Sequence, residues 1–162
     1  MEVITQNALE TQKLGEKIGR NLISQKIKSK IFCLYGDLGS GKTTFLQGLA
    51  KGLGIKKRVI SPTFVFIKQY EISPPRSPFG HLGGGEATTS TPARCDVFYH
   101  IDLCRIEKAS ETQGLGLEEI FKDSKAIVAI EWAEKIKKIL PKKRIDIQFN
   151  YLNHKERRII IK

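Results

Sequence analysis

A chain of 162 residues with 40% hydrophobic and 28% charged side chains is sized for one globular core of layered helix and sheet. It holds no apolar run near the roughly 20 residues that a membrane-spanning helix needs, and Met1-Glu2-Val3-Ile4-Thr5 lacks the basic-then-apolar order of a secretion signal. The net charge of +11 favours polyanionic partners, but the basic residues fall in short scattered runs without interleaved aromatics, unlike a base-stacking surface.

Cys33, Cys95 and Cys104 form no C-x-x-C pair and, being odd in number, no disulfide framework. A reducing cytoplasm and no membrane association are the expectations. In chain order, Asn7 is placed to cap a first helix carrying Leu14, Ile18 and Leu22 as its apolar stripe. Residues 24–30 form a polar link, and Ile31 to Tyr35 read as a buried strand.

Directly after that strand stands Gly36-Asp37-Leu38-Gly39-Ser40-Gly41-Lys42-Thr43, followed by Thr44, which satisfies every fixed position of G-x-x-x-x-G-K-[ST]. Chemistry sets each constraint. The glycines let successive N–H groups converge on a phosphate. Lys42 reaches the outer phosphate oxygens, and the Thr43 hydroxyl supplies one position on Mg²⁺. A helix must follow, because its N-terminus forms part of the anion site. Phe45, Leu46, Leu49, Ala50 and Leu53 recur at helical spacing until Gly54.

Beyond a basic turn at 56–58, Pro62 interrupts regular structure, and residues 65–72 read as a strand. Residues 73–95 are rich in Pro, Gly, Ser and Thr and too poor in apolar side chains to repay ordering. They are expected to be a flexible insertion at the tip of a hairpin whose second strand is 97–101. A short helix is expected over 115–121 and a buried parallel strand over 126–130. Trp132, Ile136, Ile139 and Leu140 predict a helix ended by Pro141, and two strands, near 145–149 and 157–161, close the chain.

Hydrolysis needs more than a phosphate loop: a magnesium anchor and a group that orients water. Glu131 ends the 126–130 strand, where ligands bind in open α/β sheets, and is the better metal candidate. Asp102 ends the preceding strand and is a candidate for positioning the attacking water or touching the metal shell. His100 shares the face of Asp102, with a proton-transfer or hydrogen-bonding role and a satisfied structural role all open to it. Arg105 is a candidate internal arginine finger or a carboxylate partner, Thr63 a candidate γ-phosphate sensor, and Trp132 a base-stacking or core residue.

Taken together, the 36–45 loop, Ser61-Pro62-Thr63-Phe64, His100-Ile101-Asp102-Leu103-Cys104-Arg105, Leu115-Gly116-Leu117-Glu118-Glu119 and Ile130-Glu131-Trp132 carry a resemblance. In order and approximate spacing the chain resembles the bacterial TsaE (YjeE) family of small P-loop ATPases, over nearly all its length except about 73–95. The resemblance implies an ATP- and Mg²⁺-dependent ATPase, weak alone, that supports the TsaB–TsaD heterodimer in forming N6-threonylcarbamoyladenosine beside the anticodon of tRNAs reading codons that start with A. Any tRNA contact would be indirect or weak. Residue by residue it implies that Lys42 and Thr43 serve phosphate and magnesium, that Glu131 serves magnesium, and that Asp102 is a catalytic acid. Thr63 falls in a switch-like loop and Trp132 near the nucleotide. Cys104 stands where the family often has tyrosine, and the insertion is unusual for the family. A small-molecule P-loop kinase is the alternative reading, although the insertion's two arginines, Arg76 and Arg94, make a poor lid. The expected architecture is one three-layer α/β P-loop domain over 1–162, its mostly parallel sheet bearing antiparallel additions, with helices on both faces.

Overall fold

The computed structural model describes residues 1–60, 66–72 and 95–162; residues 61–65, Thr63 among them, and residues 73–94 of the expected insertion lie outside the described residues. Among the described residues, seven strands form one sheet in the order β1-β7-β6-β2-β5-β4-β3. They are β1 (Glu2–Thr5), β2 (Ile31–Tyr35), β3 (Ile67–Glu71), β4 (Val97–Asp102), β5 (Ala126–Glu131), β6 (Ile145–Tyr151) and β7 (Arg157–Ile161). The central four, β6, β2, β5 and β4, run parallel. At one side β3 joins β4 antiparallel, and at the other β7 and then β1 add antiparallel.

Because side chains alternate along a strand, the central strands feed two cores. Phe32 and Leu34 of β2, with Ile127 and Ala129 of β5, pack beneath α1 (Ala8–Ile23) and α2 (Lys42–Gly52). Ile31 and Cys33, with Ala126, Val128 and Ile130, face the opposite layer, built from α3 (Leu117–Lys122) and a 3₁₀ turn over Ala133–Ile136. Every residue of β5 is buried, which is why that segment reads as an unbroken apolar run ending in a carboxylate.

Asn7 caps α1 as its sequence suggests: its Oδ1 accepts from the Glu10 backbone N–H at 2.9 Å, while the Glu10 carboxylate accepts from the Gln6 N–H at 2.7 Å. That reciprocal pair fixes where α1 begins. The helix then presses glycine against glycine onto α2. A Cβ at Gly48 would overlap the Gln12 carbonyl oxygen, one at Gly15 the Phe45 carbonyl, and one at Gly52 would lie 2.9 Å from the Gly19 Cα. The two backbones are therefore in direct contact.

Two features depart from the sequence reading. β1 is an additional strand, held by β7 with Glu2 opposite Ile160 and Thr5 opposite Arg157. The helix expected from Trp132 to Leu140 does not form. Trp132 adopts a left-handed backbone (φ 60°), only Ala133–Ile136 is helical, as a 3₁₀ turn, and Ile139 is exposed. The apolar spacing there places Ala133, Ile136 and Leu140 in the core without a regular helix.

Two outcomes follow from this packing. Gly48→Ala gains helix propensity of about 1 kcal/mol but meets backbone that cannot yield, so urea unfolding is expected to show a net loss of about 2 kcal/mol. Burial pushes the Cys33 thiol up to about 12. Roughly one in ten thousand Cys33 side chains is then thiolate at pH 8, so a thiol reagent is expected to label the exposed Cys104 rapidly and Cys33 only after denaturation.

Candidate functional site

The carboxyl ends of β2, β5 and β4 converge beneath the start of α2, and the loop between β2 and α2 is the glycine-rich segment. Gly36 has φ 133° and a Cβ there would strike the Phe149 carbonyl; Gly41, at φ 102°, is the residue from which α2 starts. Both conformations strain any L side chain. No side chain caps α2 at Gly41, so its first N–H groups remain available at the positive end of the helix. Beside them the Ser40 hydroxyl is buried without a hydrogen-bond partner among the described residues. Open helix N–H groups, an unsatisfied hydroxyl and a lysine suit an anion of phosphate size.

Lys42 is almost entirely buried, and its Nζ donates to the Gly36 carbonyl at 2.6 Å and the Asp37 carbonyl at 2.9 Å. The Trp132 ring lies 4.2 Å from that nitrogen, its face towards the charge. Burial lowers the Lys42 pKa, opposed by the negative charges of Glu131, Glu134 and Asp102. The ammonium is thus held by neutral carbonyls and a ring face in a desolvated place, where an arriving phosphate would be its strongest partner.

One residue on, the Thr43 Oγ1 lies 3.0 Å from both carboxylate oxygens of Glu131. Glu131 is buried at the end of β5, and its Oε1 also lies 2.8 Å from His100 Nε2. Asp102 ends β4 opposite Glu131 in register, and its Oδ1 accepts the Cys104 backbone N–H at 3.0 Å. Thr43 and Glu131 can offer hard oxygen donors to a small divalent ion while leaving most of its positions to water and phosphate, the arrangement Mg²⁺ favours. No group of three or more His, Cys, Asp or Glu side chains suited to a metal exists among the described residues.

Of the residues singled out in the sequence, the structure brings together the 36–44 loop, Asp102, Glu131, Trp132 and His100. Arg105 sits on the exposed turn after β4, and Leu38 projects from the loop at 83% exposure. The sequence reading missed a cleft of about 220 Å³ on the far side of the loop, between the start of α1 and the β6–β7 turn. Thr11, Gly41 and Thr44 line it from one side, and His154, Lys155 and Arg157 from the other. Arg157 stacks on the Tyr151 ring at 4.5 Å and donates to the Gly39 carbonyl at 3.3 Å, tying the turn to the loop. These residues lie more than 100 positions from the loop and carry no local motif, so only the β6–β7 pairing could have pointed to them.

A parallel α/β sheet with this loop and a carboxylate at the end of the neighbouring strand defines the class: a P-loop domain. Within that class, the family model described as "Threonylcarbamoyl adenosine biosynthesis protein TsaE" matches residues 5–84 and 85–159, and the chain belongs to this family. The tRNA threonylcarbamoyladenosine biosynthesis protein TsaE of Bacillus subtilis is 37% identical over 129 residues, a match covering 80% of this chain and 66% of that protein, just under two thirds of its length. The protein of the same description from Treponema pallidum is 27% identical over 161 residues, covering 99% of both chains. Among solved structures, the crystal structure of Bacillus subtilis YdiB superposes with a TM-score of 0.65 at 28% identity, covering 98% of this chain and 82% of that one.

Exchanging the Lys42 ammonium for an apolar side chain separates stability from binding. Lys42→Met removes a desolvated charge and is expected to leave the urea midpoint no lower than wild type. The same variant is expected to lose the thermal stabilisation that tripolyphosphate gives the wild-type protein.

Proposed function

We propose that this chain binds and hydrolyses ATP with Mg²⁺ and that, as an ATPase subunit, it supports a TsaB–TsaD pair in forming N6-threonylcarbamoyladenosine at position 37 of tRNA. The observation that carries the reading is the bond between Thr43 and Glu131 beside a buried Lys42. It joins a phosphate-binding loop to a carboxylate at the site's floor, as nucleotide hydrolysis requires. In this reading the α2 N–H groups, Ser40 and Lys42 grip the phosphates, and the nucleoside lies in the cleft lined by Thr11, Thr44 and Arg157. Thr43 and Glu131 hold the magnesium, directly or through water. The ion, when bound, neutralises charge on the phosphate oxygens.

Asp102 is assigned to the attacking water. Its place at the end of β4, beside Glu131, puts a second carboxylate at the same rim of the sheet. Trp132 covers the lysine side of the site and reports on it, and Thr63 is assigned to sensing the outer phosphate. The membership of the family, whose description is threonylcarbamoyl adenosine biosynthesis, supports placing this chemistry in tRNA modification. No helix among the described residues is long and apolar enough to cross a membrane.

The test is phosphate release from ATP with Mg²⁺, with and without the TsaB–TsaD pair, alongside repeated turnover of tRNA modification. Glu131→Ala and Asp102→Ala are each expected to lower ATP hydrolysis by about 100-fold or more, and modification is expected to stall after the first turnover. Transfer of the phosphate to a small acceptor in place of water, with modification unaffected, would move the assignment to a kinase.

A further inference from the structure

We infer that His100 is a positioning residue that holds the Glu131 carboxylate in the orientation needed to receive magnesium, an inference that rests on the ATPase reading above. His100 is fully buried on β4, with Lys68 of β3 and Ala129 of β5 as its strand neighbours. Its Nε2 lies 2.8 Å from Glu131 Oε1. An ionised carboxylate can only accept, so Nε2 carries the proton and donates. The other ring nitrogen, Nδ1, is buried without a hydrogen-bond partner among the described residues.

That asymmetry is the argument. A buried polar atom without a partner is costly, and a leucine or methionine would fill the same space without that cost. A histidine whose role was only to fill the core would gain nothing from one satisfied and one unsatisfied nitrogen. The ring's one hydrogen bond among the described residues instead goes to the carboxylate that also receives the Thr43 hydroxyl proton. Thr43 is equidistant from the two carboxylate oxygens at 3.0 Å and so does not by itself choose between them. His100 breaks the tie by engaging Oε1 from β4, a strand paired on both sides in the sheet, which restrains the orientation of the carboxylate. With Oε1 engaged from β4, Oε2 keeps the larger share of free lone pairs towards the site.

The experiment titrates Mg²⁺ into protein loaded with the β,γ-imido analogue of ATP and reads the fluorescence of Trp132, the chain's one tryptophan. Relative to wild type, His100→Met is expected to weaken the magnesium dependence about tenfold or more, while affinity for the metal-free analogue stays within about twofold. His100→Gln, whose amide nitrogen reaches the position of Nε2, is expected to restore most of it. His100→Asn, an amide too short to reach Glu131, is expected to behave as the methionine variant does, and it carries the test if the methionine variant does not fold. In a Glu131→Gln background, His100→Met is expected to add no further loss. Wild-type magnesium dependence in folded His100→Met or His100→Asn overturns the inference. So does equal loss of metal-free and metal-dependent binding, or an undiminished effect in the Glu131→Gln background. A wild-type protein that binds the analogue without any magnesium effect overturns the ATPase reading, and the inference with it.

Discussion

The backbone contact between α1 and α2 sets the geometry on which the site depends. Gly15, Gly19, Gly48 and Gly52 bring the backbones of the two helices into direct contact at these positions. Packing that close leaves no slack along the axis, so the start of α1, fixed by the Asn7 cap, and the start of α2, fixed at Gly41, are held at a set separation. The phosphate loop lies at one of those starts. The cleft beside it is walled by Ala8 and Thr11 of α1 and Thr44 of α2, so its width is a product of helix packing.

Polar groups are buried at the other side of the loop in a way a core built only for stability would avoid. Lys42, His100, Asp102 and Glu131 are all buried, next to two fully apolar clusters. Bonds that cross between elements compensate them in part: α2 to β5 through Thr43, and β5 to β4 through His100. What stays uncompensated among the described residues, at Ser40 Oγ and His100 Nδ1, lies within the same few elements. Concentrating desolvated polar atoms at the carboxyl end of a parallel sheet lowers stability locally and leaves that end prepared for a charged ligand.

The parts of the fold legible in the sequence are those whose signal is local. The 36–43 loop announces its own conformation through glycines at forced backbone angles, and β2 and β5 read as continuous apolar runs because both faces are covered. The cap at Asn7 and the antiparallel pairing of β3 with β4 were likewise legible. β1 was not, since Glu2-Val3-Ile4-Thr5 is too short to show a period and its partner lies at the far end of the chain. The segment after Glu131 misled because apolar residues at helical spacing also suit a 3₁₀ turn followed by irregular chain. Trp132, entering with a positive φ, starts that departure. In the site, Glu131 and Asp102 could be placed from strand ends alone, whereas the His100–Glu131 bond needed the register of β4 on β5. Lys155 and Arg157 looked like ordinary surface charge until the β6–β7 turn brought them to the cleft.

The pairing of β1 with β7 has a consequence for how the protein is made. Among the described strands β1 has one neighbour, β7, and β7 reaches the parallel core only through β6. During synthesis the residues of β1 leave the ribosome long before their partner, since the strand that receives them is translated more than 150 residues later. α1 can settle on α2 and the parallel core can assemble in the meantime, but this edge stays without its pairing partner until β7 has been added. Glu2 on β1, matched by Arg158 on β7, then places a charge pair along that late-closing edge. Until β7 arrives, the Glu2 carboxylate stands unpaired with Arg158 and keeps a charge on the β1 segment, which makes that segment less prone to pair with a neighbouring nascent chain.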